Sequence, residues 1–157
     1  MVEIRKVFGN LIEGFKAVAL DTQVFIYHFQ ENRVYLPMTQ AIFEAIEQRE
    51  MKASTSVMTM MEILVKPMRE GNAKAVEDYK FVLQTFPNLK LQAVDAAVSE
   101  KAAEVRAEYN LRSPDAIQLA SAMAANAEAF VTNDHRLKRV KGIHVILLKD
   151  YKGTEDA

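Results

Sequence analysis

Short apolar runs alternate with longer segments of helical periodicity along most of this chain. The runs at 18–20, 51–55, 89–94, 129–132 and 145–148 predict strands. Apolar residues spaced three or four apart predict helices over 57–66, 73–85, 96–109 and 113–126, with another that opens at Pro37. Because strands that alternate with helices usually form a parallel sheet covered on both faces, the pattern predicts a three-layer α/β/α domain. Its central sheet is expected to be mostly parallel, with about five strands.

Local signals mark the ends of several helices. Ser56 can cap the helix that follows it, and Pro67 is expected to kink or end that helix. Asp95 can cap the helix over 96–109, and Ser113 offers a capping hydroxyl in front of Pro114 at the first helical position. The candidate core residues of the helix over 73–85 are Val76, Tyr79, Phe81, Val82 and Phe86.

Residues 1–16 precede the first strand and carry an apolar stripe at helical spacing. The stripe consists of Ile4, Val7, Phe8, Leu11, Ile12 and Phe15. We expect an N-terminal helical extension that packs against the domain or a partner chain, although Gly9 and Gly14 weaken it by about 1 kcal/mol each. A membrane-surface helix would carry more Lys and Arg on its polar face. With no repeat or linker elsewhere, one domain over 1–157 with a core at 18–150 is predicted.

Composition narrows the chemistry available to the chain. Half of the 157 residues are hydrophobic, 26% are charged, and there is no cysteine. The absence of cysteine excludes disulfides, thiolate zinc sites and a cysteine nucleophile. No signal peptide and no apolar stretch near the roughly 20 residues of a membrane span is evident, so a cytoplasmic protein without a membrane partner is expected.

The net charge of −1 means that any nucleic-acid-binding surface must be a local basic patch. The main candidate is the run Arg136, Lys138, Arg139 and Lys141, which could equally be a solvated face. The three histidines show no ligand spacing, and His135 is best explained as a solvated loop residue.

Four acidic residues are predicted to lie at one edge of the sheet. Asp21 follows strand one, Asp134 follows strand four, and Asp115 lies in the first turn of a helix. Glu62 lies about two turns into the helix after strand two and could reach back to the same edge. Sites in open parallel sheets form beyond the carboxyl ends of the strands, and converging carboxylates require a cation to balance them. Oxygen-only ligands favour Mg²⁺ or Mn²⁺.

Each acid also has a purely structural explanation. Asp115 could stabilise a helix dipole, Asp134 could be a turn or cap residue, and Asp21 could cap the next helix. Glu62 is harder to explain in this way, because nearly all its neighbours in sequence are apolar.

Two other acidic-site folds fit less well. A haloacid-dehalogenase-type phosphatase needs a second Asp two residues after the first, where this chain has Gln23. A phospho-acceptor receiver domain would use Asp95 and Lys149, but it also needs a paired acid after strand one.

Four segments resemble, in order, the motifs of PIN-domain nucleases. They are Leu20–Tyr27, Thr59–Leu64, Ser113–Ala122 and Phe130–Leu137. Length and compactness resemble the VapC-type branch, the toxins of toxin–antitoxin pairs. The resemblance implies a PIN-like fold and a Mg²⁺- or Mn²⁺-dependent endoribonuclease. Asp21, Glu62, Asp115 and Asp134 would then be the catalytic metal ligands.

The resemblance also implies that Thr132 supports the metal site or its water, and that Thr22 contributes from outside the ligand set. RNA, a possible antitoxin protein and a second copy in a homodimer are the partners it implies. Gln23 and Leu137 depart from the residues common in the family, as does the N-terminal extension. The alternative hypothesis is a catalytically inactive PIN-fold module that binds RNA or protein.

Overall fold

Five short strands form one all-parallel sheet in a computed structural model that describes residues 2–48 and 50–152. The strands are β1 Ala17–Leu20, β2 Lys52–Ser56, β3 Leu89–Gln92, β4 Ala129–Thr132 and β5 His144–Leu147. They lie in the order β3-β2-β1-β4-β5, and every neighbouring pair is parallel. The predicted parallel sheet is therefore confirmed. Met1 of the predicted extension, and residues 153–157 of the predicted domain, lie outside the described residues.

Seven α-helices connect and cover the strands in the described ranges. They are α1 Val2–Ile12, α2 Thr22–Phe29, α3 Leu36–Glu47, α4 Val57–Arg69, α5 Ala73–Thr85, α6 Ala96–Tyr109 and α7 Ser113–Ala124. Two 3-10 turns, His135–Arg139 and Leu148–Tyr151, follow β4 and β5. No helix in the described part of the chain has both the length and the apolar composition needed to span a membrane.

The alternation of side chains along each strand produces two hydrophobic cores, one on each face of the sheet. On β1, Val18 and Leu20 pack with the core that includes α1, α2 and α3, whereas Ala19 packs with α6 and α7. On β4, Val131 and Phe130 divide between the two cores in the same way. This period of two, with helices on both faces, confirms the three-layer architecture.

The order of the strands brings the ends of β1 and β4 together. The chain leaves β1 toward β2 and β3 on one side and returns to β4 on the other, so the strand order reverses between β1 and β4. Leu20 pairs with Val131, which aligns the carboxyl ends of these two strands. A crevice at such a switch point is where ligands bind in open α/β sheets.

Most predicted caps are present. Ser56 accepts a hydrogen bond from the Met58 amide at 3.2 Å, and Asp95 accepts one from the Val98 amide at 2.9 Å. The predicted capping role of Ser113 is wrong. Ser113 is already the first helical residue of α7, and the cap position belongs to Arg112, which makes no side-chain capping bond.

Two further details differ from the prediction. Phe81 was expected in the core but is 67% exposed, because the buried side of α5 includes Leu83 and Tyr79, and Phe81 lies about 200° around the helix from Tyr79. Pro67 does not end α4, which continues to Arg69 with Pro67 buried in its last turn.

The N-terminal helix α1 packs against α3. Phe8 and Ile12 are fully buried in the same core as Ile42 and Ile46 of α3. Val7 belongs to the predicted apolar stripe but is 54% exposed. The extension therefore contributes core side chains through part of its stripe.

Replacing Phe8 tests whether α1 is part of the cooperative core. We expect Phe8→Ala to lower the free energy of unfolding by about 3–5 kcal/mol, because it leaves a cavity under α1. Val7→Ala, its exposed neighbour, should cost no more than about 0.5 kcal/mol. Urea denaturation followed by circular dichroism measures both, and equal small effects would mean that α1 unfolds independently.

Candidate metal site at the carboxyl edge of the sheet

Asp21 lies directly after β1, and its side chain is partly buried. Its Oδ1 accepts a hydrogen bond from the Thr22 amide at 2.8 Å, so Asp21 also caps α2. Its Oδ2 accepts a bond from the Thr132 hydroxyl at 2.6 Å. The backbone amide of Asp21 donates to the Val131 carbonyl at 2.9 Å, which continues the β1–β4 pairing past Leu20. The carboxylate is therefore fixed by both strands.

Thr132 links the acids that follow β1 and β4. Its side chain is fully buried, and its hydroxyl donates to Asp21 while accepting a bond from the Asp134 amide at 3.1 Å. Thr132 therefore touches Asp21 directly, and its supporting role at a metal site remains a prediction.

Glu62 reaches the same edge from the second turn of α4. Its Oε1 accepts a hydrogen bond from the Thr22 hydroxyl at 2.9 Å. Thr22 adjoins Asp21 in sequence, so one residue holds both acids in neighbouring positions. The remainder of Glu62 is exposed, which leaves its carboxylate accessible from solvent.

A buried amide supports this half of the site from below. Gln118 of α7 is 4% exposed, and its Nε2 lies 3.1 Å from the Thr22 hydroxyl, 3.0 Å from the Thr59 hydroxyl and 3.4 Å from Glu62 Oε1. Thr59 in turn bonds the Thr55 hydroxyl of β2 at 2.6 Å. A network of this kind holds side chains in one arrangement, because a buried polar group without its partner is costly.

Sequence reasoning missed Gln118, although a signal was present. It is a polar residue one turn after Asp115, on the same face of α7, and it is followed directly by the apolar Leu119 and Ala120. Its Oε1 is buried without a hydrogen-bond partner among the described residues. A buried acceptor of this kind usually has a partner such as an ordered water or an ion.

The other two acids are balanced by arginines. Asp115, in the first turn of α7, accepts a hydrogen bond from Arg112 Nε at 3.1 Å. Asp134 caps the 3-10 turn after β4 and binds Arg136 through both carboxylate oxygens, at 3.0 and 2.6 Å. Arg136 Nη2 also lies 3.8 Å from Asp115, so one guanidinium faces both acids.

The four acids thus form a connected series rather than a closed cage. Asp21 and Glu62 share Thr22, Asp21 and Asp134 share Thr132, and Asp134 and Asp115 share Arg136. Within residues 2–48 and 50–152, no three Asp, Glu or His side chains converge closely enough to hold an ion as they stand. The metal-ligand roles of these residues remain predictions.

The protonation behaviour of the two strand-end acids differs. Burial raises the pKa of Asp21 to about 6, the hydrogen bonds from Thr132 and Thr22 oppose that rise, and the charges of Glu62 and Asp115 add to it. The hydrogen bond from Arg136 holds the pKa of Asp134 below its usual range. Of these two acids, Asp21 is therefore the one whose hydrogen-bond partners bring no positive charge.

This donor set fits a hard divalent cation. The atoms of the four acids, Thr22 and Thr132 that could act as ligands are carboxylate and hydroxyl oxygens, which Mg²⁺ and Mn²⁺ prefer over nitrogen or sulfur. Burial is the main cause of the raised pKa of Asp21, and the charges of Glu62 and Asp115 add to it, so a bound cation would stabilise the ionised carboxylate. Asp21, Glu62 and Asp115 could hold the ion, with Asp134 available if Arg136 moves away.

The fold and the site together define a class: a three-layer α/β/α protein with an acidic site at the switch point of a parallel sheet. The chain belongs to the PIN-domain family, whose model matches residues 18–143. This confirms the resemblance seen in the four sequence segments. The match begins just after the N-terminal helix.

Several solved structures share the fold. A chain of a toxin–antitoxin complex from Klebsiella pneumoniae superposes with a TM-score of 0.63 at 23% identity, covering 83% of this chain and 97% of that one. A chain of VapBC2 from Rickettsia felis, bound to a fragment of promoter DNA, gives 0.66 at 16% identity, covering 83% and 98%. A DNA-bound VapBC from Salmonella typhimurium gives 0.66 at 17%, covering 84% and 98%.

At these identities the likeness shows a shared fold. A search of curated protein sequences found no match.

The raised pKa of Asp21 predicts a pH-dependent stability in the absence of metal. Because the folded pKa of about 6 exceeds the unfolded value of 3.8, the protonated carboxyl favours folding, and that stability is lost as the pH rises through about 6. We expect Asp21→Asn to be more stable than wild type by about 1–3 kcal/mol at about pH 8 in EDTA. The difference should vanish below about pH 4.

Urea denaturation across this pH range measures the effect. Asp78→Asn is the matched control, because Asp78 is an exposed acid whose carboxylate pairs with Lys74. Equal stability of wild type and Asp21→Asn at every pH would contradict the raised pKa of Asp21.

Proposed function

We propose that this protein is a divalent-metal-dependent endoribonuclease that hydrolyses RNA phosphodiester bonds and acts as the toxin of a toxin–antitoxin pair. The observation that carries the proposal is the series of four carboxylates at the switch point of a PIN-domain chain. Its fold neighbours, which are toxin–antitoxin and VapBC complexes, support the same assignment.

Mg²⁺ or Mn²⁺ is the proposed cofactor, held by Asp21, Glu62, Asp115 and Asp134. When bound, such an ion lowers the pKa of a bound water and stabilises charge on the phosphate. Thr132 and Thr22 keep the carboxylates of Asp21 and Glu62 in fixed positions.

Basic side chains next to the acids supply a surface for RNA phosphates. Arg112 and Arg136 border Asp115, and Lys138 and Arg139 lie on the same 3-10 turn as Arg136. A local cluster of this kind attracts a phosphate backbone even though the whole chain is slightly acidic.

An antitoxin protein and a second copy of the chain are the proposed protein partners. The outer face of α4 carries Val57, Met61, Val65 and Met68 at helical spacing, all exposed. Met61 adjoins Glu62, so a partner seated on this face would border the acidic site. RNA hydrolysis by such a toxin would take place in the cytoplasm, which is the proposed location.

RNA cleavage with matched variants tests the proposed function. We expect wild type to cut a mixed single-stranded RNA with Mg²⁺ or Mn²⁺ and not with EDTA. Asp21→Asn and Asp115→Asn should each lower the cleavage rate at least about 100-fold. Thr132→Val should lower it about 10- to 100-fold, because the lost hydroxyl of Thr132 orients Asp21.

Asp78→Asn should cleave like wild type, because the exposed carboxylate of Asp78 pairs with Lys74 and not with a residue of the acidic site. If protein free of a bound inhibitor binds the RNA but does not cut it with either metal, the result would favour a catalytically inactive PIN-fold module that binds RNA. Cleavage that survives both Asp substitutions would place the active site elsewhere.

A further inference from the structure

Arg136 is bound to the acidic site more tightly than a residue of a solvated basic patch would be. Its Nε and Nη2 bind the two carboxylate oxygens of Asp134 at 3.0 and 2.6 Å, and its own backbone amide binds Asp134 Oδ1 at 3.0 Å. Nη2 also lies 3.8 Å from Asp115 Oδ2. One guanidinium therefore bridges acids that come from β4 and α7.

This arrangement conflicts with metal binding by the same acids. Together with the backbone amide of Arg136, this guanidinium occupies most of the acceptor positions of the Asp134 carboxylate, and a small cation would need those positions. The positive charge of Arg136 would also repel a divalent ion placed between Asp134 and Asp115. Metal and Arg136 therefore compete for the same oxygens.

The surroundings of Arg136 allow it to move. Its side chain is 50% exposed, whereas those of Asp134 and Asp115 are only 15% and 16% exposed. The acids are held by the fold, and the arginine approaches them from the solvent side. A guanidinium released there would lie beside the metal with its planar fork free, and that fork matches a phosphate group.

We propose that Arg136 is an internal counter-ion that exchanges partners: it neutralises Asp134 and Asp115 without metal, and it binds the RNA phosphate when a divalent ion takes the acids. The inference rests on the proposed function for its RNA half, whereas its metal half concerns the protein alone. Arg112, whose Nε binds the same Oδ2 of Asp115 at 3.1 Å, keeps that acid partly balanced in both states.

Titration of Mn²⁺ into the RNA-free protein by calorimetry tests the metal half. Because Arg136→Ala removes the competing cation, we expect it to bind Mn²⁺ about fivefold more tightly than wild type. Arg136→Gln, which keeps much of the side chain but no charge, should act in the same direction and guards against a folding defect in the alanine variant. Arg136→Lys should stay near wild type.

Lys138→Ala is the matched control. Lys138 is an adjacent, exposed cation of the same 3-10 turn, and it pairs with the exposed carboxylate of Asp150 at 2.9 Å. Its removal changes the net charge equally but frees no acid of the site, so the affinity for Mn²⁺ should not change.

Fluorescence anisotropy with a labelled single-stranded RNA tests the second half, with Ca²⁺ as the ion and the RNA checked for integrity afterwards. Arg136→Ala should bind this RNA several-fold more weakly, and the dependence of log Kd on log salt should become shallower by about one unit. A purely structural role would shift metal and RNA affinity in the same direction, whereas the exchange shifts them in opposite directions.

Unchanged or weaker Mn²⁺ binding by Arg136→Ala and Arg136→Gln would overturn the proposal, whatever the RNA result. If the variants bind Mn²⁺ more tightly but their RNA affinity and its dependence on salt are unchanged, the proposal that Arg136 moves to an RNA phosphate would be overturned. Failure of wild type to cleave RNA would refute the nuclease assignment separately, because the Mn²⁺ titration does not depend on it.

Discussion

The crowding of negative charge at one edge of the sheet is the constraint on which the rest of this site depends. Asp21 is pinned by hydrogen bonds from Thr132 and Thr22, which fix its carboxylate but bring no positive charge. Glu62 and Asp115 add like charge from α4 and α7 and raise the pKa of Asp21 further. A buried carboxylate surrounded by like charges favours a counter-ion, and within residues 2–48 and 50–152 the arginines that serve this purpose, Arg136 and Arg112, bind Asp134 and Asp115. The two halves of the site therefore differ: one is held by neutral hydroxyl and amide groups, and the other is balanced by guanidinium groups.

The parallel sheet brings the four acids to the same edge of the molecule. Parallel strands end at the same edge, and the reversal of strand order next to β1 opens a crevice between the ends of β1 and β4. The helices that follow the strands begin there, so Asp115 in the first turn of α7 and Glu62 in the second turn of α4 both lie close enough to Asp21 to raise its pKa. Beneath them, Gln118 joins α2 and α4 to α7 through Thr22 and Thr59. Rigid placement of this kind is what a site needs if its ion is to be bound without rearrangement of the backbone.

The sheet, its parallel pairing and the edge position of the acids could be predicted from sequence because they follow from local periodicity and from a general rule about parallel sheets. Phe81 could not be assigned correctly, because apolar character alone does not show which side of α5 faces the core. Gln118 and Thr59 escaped notice because their importance lies in contacts between helices that are distant in sequence. Arg136 was predicted only as part of a basic run. Its bond to Asp134, two residues earlier, depends on the geometry of the 3-10 turn and not on charge pattern.

Anomalous diffraction from crystals soaked in Mn²⁺ would test the central claim that this edge is a cation site. We expect a single strong anomalous peak within about 2.5 Å of an oxygen of Asp21 and of at least one oxygen of Glu62 or Asp115. Saturating Mn²⁺ with no peak at this edge, or with the only strong peak elsewhere on the molecule, would contradict it. The acids would then be structural, and the function would have to be sought away from the carboxyl ends of β1 and β4.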